Sequence, residues 1–271
     1  MRRRIAVGIE YQGSAYSGWQ VQRSAPSVQA VLEAALSRIA DGPIDLICAG
    51  RTDAGVHARA QVAHFDTAAL RRAYAWLLGA NHYLPRDISL RWVRPVPAHF
   101  HARYSALART YRYLILNRAA RSALAHSRAL LVHQALDIEA MQQGAHWLIG
   151  EHDFSAFRSS ECQANSPMRQ IQGLRLRRQG DWISIDVTAN SFLHHMVRNI
   201  VGLLLTVGQG RAPPERVRQQ LESRSRGPGK TTSAAHGLYL WRVEYPEAFN
   251  LPEFGASMDS AMIETAVGGG D

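Results

Sequence analysis

Two periodicities alternate along this chain, and their order limits the folds open to it. Ile5, Val7, Ile9 and Tyr11 recur every second residue, as one face of a β-strand does. A helical repeat follows, with Val28, Val31, Leu32, Ala35, Leu36 and Ile39 on one face behind Ser27, a residue type that caps helix N-termini. The short apolar run Leu46–Ala49 enters a polar loop, Gly50–Ala58, and Gln61–Phe65 leaves it as a strand. A second helix is predicted over Ala68–Leu78, and Ile88–Val93 reads as a strand. The first half is therefore β-α-β-loop-β-α-β.

The second half repeats this mixture without repeating the sequence. Arg109–Leu116 reads as a strand with Tyr111, Tyr113 and Ile115 on one face, and Ile138–Ile149 as a helix. A loop over Gly150–Pro167 leads to a hairpin of Ile171–Leu176 and Trp182–Val187, turned at Gln179-Gly180-Asp181. A helix over Phe192–Val207 comes next, and Pro213-Pro214 starts a short one. Ser223–Lys230 reads as a linker and Gly237–Tyr245 as a closing strand. The element order predicts an α+β fold, with helices packed on a mixed, largely antiparallel sheet. An N-terminal αβ domain is expected over 1–105 and a C-terminal one over 106–246. An acidic tail, 247–271, ends in three glycines before Asp271 and is expected to be poorly ordered.

Composition narrows the partners. The formal net charge is +9, and five of the 22 acidic residues but none of the 31 basic ones fall in 247–271, so the rest of the chain is more basic still. Such a balance favours a polyanion. Lys230 is the only lysine; guanidinium groups can grip a phosphate through two oxygens at once. Cys48 and Cys162 form no CxxC pair, so neither a disulfide framework nor a thiolate metal site is indicated. The longest apolar stretch, near Ile200–Val207, is far short of a membrane span, and no signal peptide is seen. A soluble, cytoplasmic protein without membrane attachment is expected.

Chemistry is concentrated in Gly50-Arg51-Thr52-Asp53-Ala54-Gly55-Val56-His57. Two glycines allow a tight path between strands, and the carboxylate between them has Arg51 beside it and His57 and Arg59 further on. Arginine favours the ionised form. An ionised Asp53 on such a loop can act as nucleophile, as base or as stabiliser of positive charge, or it can simply cap a turn. Arg198 sits in an otherwise apolar helix with Met196, Val197, Ile200 and Val201. If buried it needs a partner, for which Asp53 is a candidate; otherwise it lies on an exposed stripe. Tyr104, Tyr111 and Tyr113 interleave with Arg103, Arg109 and Arg112, the mixture of rings and guanidinium groups that grips RNA, although each tyrosine taken singly reads equally as a half-buried strand residue. Gly229-Lys230-Thr231 is only half of a phosphate-binding loop. The pairs His99/His101 and His194/His195 lack zinc spacing, and no serine-hydrolase elbow exists.

The loop Gly50–Ala58 resembles the signature of the tRNA pseudouridine synthase I family. Other stretches match in the same order: Tyr11-Gln12-Gly13 through Gly18-Trp19-Gln20-Val21-Gln22; Phe100–Ala106 with Arg109–Tyr113; Gly150–Phe154 with Phe157-Arg158; Phe192–Asn199; and Gly237–Leu240. Ala234 departs from the pattern, standing where the family usually has proline. The resemblance spans about residues 4–246 and implies a cofactor-free, metal-free isomerase acting on uridines 38, 39 and 40 of the tRNA anticodon stem–loop. It implies two αβ domains with a basic cleft between them, and a homodimer. It makes Asp53 the catalytic carboxylate, Arg198 its ion-pair partner and Tyr111 the ring that stacks on the target base and helps move its C5 proton. Arg51, Thr52, His57, Tyr111, Phe157, Arg158 and Leu238 are the implied substrate-binding residues. A tRNA-binding protein without catalysis and a nucleic-acid glycosidase are the alternatives, the latter distinguished by release of free uracil.

Overall fold

The computed structural model describes residues 2–162, 164–227 and 232–254. Gly229-Lys230-Thr231 and the end of the acidic tail lie outside them. The fold is α+β, and the described residues divide into two compact units: those up to Arg109 together with 239–254, and Thr110–Leu238.

The first unit opens with β1 (Arg3–Tyr11), whose Ala6, Val7 and Ile9 are fully buried. Helix α1 (Val28–Ala40) begins where the sequence places it: the Ser27 side chain accepts from Ala30 N–H, satisfying one of the otherwise orphaned donors of the first turn. Then follow β2 (Ile47–Cys48), β3 (His57–Thr67), α2 (Ala73–Tyr83) and β4 (Ile88–Val96). β1 lies between β3 and β4, antiparallel to both, and β2 pairs antiparallel with β3. Helix α2 starts five residues later than the sequence reading has it. Leu70, Tyr74 and Leu78 look like its buried stripe but are exposed; Trp76 and Ala80 are the residues it buries.

The second unit comprises β5 (Ala108–Asn117), β6 (Leu130–Val132), α3 (Ile138–His146), β7 (Gly150–Asp153), β8 (Met168–Gln179), β9 (Trp182–Ala189), α4 (Met196–Gly208) and α5 (Glu215–Glu222). Its strands run in the order β5-β9-β8-β7, with β6 parallel to β5 and antiparallel pairing of β7 with β8 and β8 with β9. Gly180, with φ +54°, turns the β8–β9 hairpin at the expected place. Helix α3 packs on α4, α5 and β8. Helix α4 begins at Met196 rather than Phe192 because His195 takes a left-handed φ of 62°.

The last strand, β10 (Leu238–Glu244), returns to the first unit and runs parallel to β3, matching Tyr239 to His57 and Leu240 to Ala58. Residues 247–254 correct the expectation of poor order from 247 on. Tyr245, Phe249, Leu251 and Phe254 pack against a core of Ala6, Ala49, Val62, Trp92, Phe100 and Ala102. Tyr245 Oη donates to Ala102 O at 2.6 Å, and Arg59 Nη2 donates to Phe254 O at 3.2 Å.

Candidate active site

The glycine-flanked loop is held by the segment that follows β1. Trp19 N–H donates to Thr52 O at 3.0 Å, and Gly55 N–H to Tyr16 O at 3.2 Å. Within the loop, Val56 N–H donates to Asp53 O at 3.1 Å, closing a turn whose Gly55 has φ +76°. Gln61 Nε2 fixes the entrance by donating to Gly50 O at 2.7 Å. Side chains add two ties: Tyr11 Oη and Thr52 Oγ1 share a buried hydrogen bond of 2.7 Å, and Gly13 N–H donates to His57 Nδ1 at 3.0 Å. Each bond contributes about 1 kcal/mol and leaves a costlier orphan if one partner is lost.

Two glycines of the Tyr11–Gln20 segment owe their identity to this contact. A Cβ on Gly13 would lie 1.9 Å from Val56 O, and one on Gly18 2.7 Å from Thr52 O. The match at Tyr11–Gln20 and the match at Gly50–Ala58 are thus two halves of one object. That object presents Asp53, half-buried, with exposed Arg51 and Ala54 on either side. Thr52 turns inward to Tyr11 and is 6% exposed. His57 is 1% exposed and stacks on Tyr239 at 4.6 Å, so both support the loop from inside the first unit.

In the second unit, Arg198 lies on α4, and its main chain and side chain are both tied to Ser233. Ser233 N–H and Oγ donate to Arg198 O at 3.1 and 2.9 Å, and Arg198 Nε donates to Ser233 O at 2.9 Å. Next to it, Asn199 Nδ2 donates to Phe157 O at 2.7 Å and Asn199 Oδ1 accepts from Thr232 at 2.7 Å. Arg198 and Phe157 are therefore brought together through Asn199. Tyr111, on β5, meets Phe192 edge-on at 4.9 Å. Phe157 and Leu238 are buried, and Arg158 is half-exposed.

The reading of the 103–113 stretch as an RNA grip needs correction. Arg109 is 8% exposed, and its guanidinium donates to the carbonyls of Ala49, Arg103 and Ala106 at 3.0, 2.5 and 3.3 Å. Arg112 makes a two-pronged ion pair with Asp186 at 2.6 and 2.8 Å. Tyr113 is fully buried, and its hydroxyl, pushed up to about 12 by burial, donates to Ala234 O at 2.7 Å. These groups satisfy the protein's own carbonyls and carboxylate; Arg103 and Tyr104 alone of the six stay exposed. The sequence reading missed Tyr11, Gln61, Asn199 and Ser233 as positioning residues. Tyr11 and Asn199 are visible within matching stretches, while Gln61 and Ser233 act through carbonyls elsewhere in the chain, those of Gly50 and Arg198.

A carboxylate presented on a clamped loop, in an α+β protein charged to meet a polyanion, fits an enzyme that modifies nucleic acid. The family model described as tRNA pseudouridine synthase matches residues 8–105 and 145–246. The chain is 52% identical over 249 residues to the tRNA pseudouridine synthase A of Nitrosococcus oceani, covering 92% of this chain and 96% of the relative. It is 53% identical over 251 residues to that of Pseudomonas aeruginosa, covering 92% of this chain and 88% of the relative. The chain belongs to the tRNA pseudouridine synthase family and is an isomerase of the pseudouridine synthase type.

Proposed function

We propose that this chain converts uridines 38, 39 and 40 in the anticodon stem–loop of tRNA to pseudouridine, in the cytoplasm and without a cofactor. The observation that carries the reading is Asp53, held between two glycines on a loop clamped by the Tyr11–Gln20 segment. The reaction breaks C1′–N1, rotates the uracil and forms C1′–C5, with no electron or group supplied from outside. It needs a fixed anionic group to act at C1′ of the ribose or C6 of the base, and a way to expose the base. Flipping a base near a loop costs less than flipping one in mid-stem. Arg198 is the proposed ion-pair partner of Asp53, and Tyr111 the ring on which the target uracil stacks, its hydroxyl helping to move the C5 proton. Arg51, Thr52, His57, Phe157, Arg158 and Leu238 are proposed to shape the substrate site. For Thr52 and His57, burial makes that role one of support. The purified protein, incubated with unmodified tRNA, is expected to place pseudouridine at 38, 39 and 40 and nowhere else in the anticodon arm, read by pseudouridine mapping. Release of free uracil would identify a glycosidase instead.

A homodimer is the proposed assembly. Tyr74 and Leu78, one helical turn apart on α2, are exposed and support it, and Leu70 is exposed just ahead of the helix. Large apolar side chains left exposed on one helix face are of the kind that a second copy covers. Light scattering is expected to report about twice the 30.1 kDa chain mass, falling to the monomer value when Tyr74 and Leu78 are both changed to Glu. A monomeric wild-type protein that is fully active at nanomolar concentration would sink this proposal.

A further inference from the structure

We propose that His101, Arg103 and Tyr104 form a stacking platform for an unpaired base of the substrate RNA, distinct from the uridine assigned to Tyr111. The proposal rests on the RNA-modifying function above. Tyr104 is 75% exposed, and its ring is held in a set orientation. His101 packs against it at 4.3 Å between centroids, and the Arg103 guanidinium lies 5.5 Å from its centroid. The turn beneath is closed by four hydrogen bonds. His101 Nδ1 accepts from the N–H groups of Arg103 and Tyr104 at 3.1 and 3.2 Å, His101 N–H donates to Ser105 Oγ at 3.0 Å, and Ser105 N–H returns to His101 O at 2.8 Å. His101 is itself backed by the buried His64, 4.9 Å away. A lone exposed tyrosine is ordinary; one buttressed by an imidazole and flanked by a guanidinium is preorganised, so little freedom is lost when a base settles on it.

Charge selects the occupant. Residues 94–112 contain arginines and no Asp or Glu. Arg103 and Arg51 are both exposed. Arg109 ties the turn of the platform to the residue just ahead of the Gly50–Ala58 loop, donating to Ala49 O and Arg103 O from the same nitrogen. A ligand with a flat π face and an adjacent negative charge meets both requirements, and a nucleotide of an unpaired RNA segment is that ligand.

The test measures KM, kcat and tRNA Kd for Tyr104→Ala, Tyr104→Trp and Arg103→Ala beside wild type. Tyr104→Ala is expected to raise KM and Kd about tenfold with kcat within about twofold, the size of one lost base–aromatic stack. Tyr104→Trp, which restores a ring, is expected to recover the affinity. Arg103→Ala is expected to reduce the salt slope of binding by about one. Kd and KM within twofold of wild type in Tyr104→Ala would overturn the platform, as would a loss of affinity explained by a changed oligomeric mass. Wild-type protein that isomerises no uridine, yet loses tRNA affinity on Tyr104→Ala, would keep the platform and overturn the function proposed above.

Discussion

Replacing Asp53 with alanine is expected to lower pseudouridine formation at least about a thousand-fold, the scale on which removing an essential reacting group acts. Fold and tRNA affinity are expected to survive. The loop is held by main-chain groups, Thr52 O, Asp53 O and Gly55 N–H, that alanine keeps. Stability is checked by thermal melting and affinity by filter binding, and turnover within tenfold of wild type would remove Asp53 from the chemistry. The same assay tests its proposed partners. Arg198→Lys keeps the charge but loses the planar fork, so turnover should still fall. Full activity would remove Arg198 from the chemistry. Tyr111→Phe keeps the stacking ring; a fall in kcat without a change in affinity assigns the hydroxyl to proton movement.

Gly13→Ala is expected to be nearly as damaging to activity, from a residue that makes no chemical contribution. The added Cβ would sit 1.9 Å from Val56 O and 2.6 Å from Val56 C, both main-chain atoms. No rotamer relieves such a clash, so one of the two segments must move by about 1 Å. That movement strains the Gly13 N–H to His57 bond and the Asp53–Val56 turn together. Overpacking plus a lost buried hydrogen bond costs about 2–4 kcal/mol, or about 5–10 °C in Tm for a chain of this size. A displacement of about 1 Å at a reacting group costs about a hundred-fold in rate. Wild-type Tm and turnover in Gly13→Ala would show that the two segments do not touch.

How far the sequence could be read depended on whether a signal is local. The cap at Ser27, the start of α3 after Asp137 and the Gly180 turn need only their neighbours, and each falls where the sequence places it. The Gly50–Asp53 motif was visible as a motif for the same reason. Helix α2 lies five residues beyond the expected start because residues 68–72 carry no capping signal that marks where the helix begins. β7 reads as loop in the sequence because Gly-Glu-His-Asp carries no apolar alternation; it pairs with β8, at the end of that unit's strand order. Arg109 and Arg112 looked like phosphate-binding groups because their partners, Ala49 O and Asp186, lie some sixty and seventy residues away in the chain. A charged residue's type says nothing about which distant acceptor it will meet.

The return of β10 to the first unit has a consequence for biosynthesis. Among the described residues, the second unit is a single stretch that ends at Leu238. The first unit is not. When β3 emerges, it has β1 to pair with, but the His57–Ala58 end of its other edge stays bare until Tyr239 and Leu240 are translated. At ordinary elongation rates that interval is on the order of ten seconds. Throughout it, His57 lacks the tyrosine ring it stacks on, and the exit of the Asp53 loop is not pinned. A nascent chain therefore carries every residue of the Asp53 loop long before it can hold that loop in shape. A chain cut short within the second unit keeps the motif but lacks the strand that supports it.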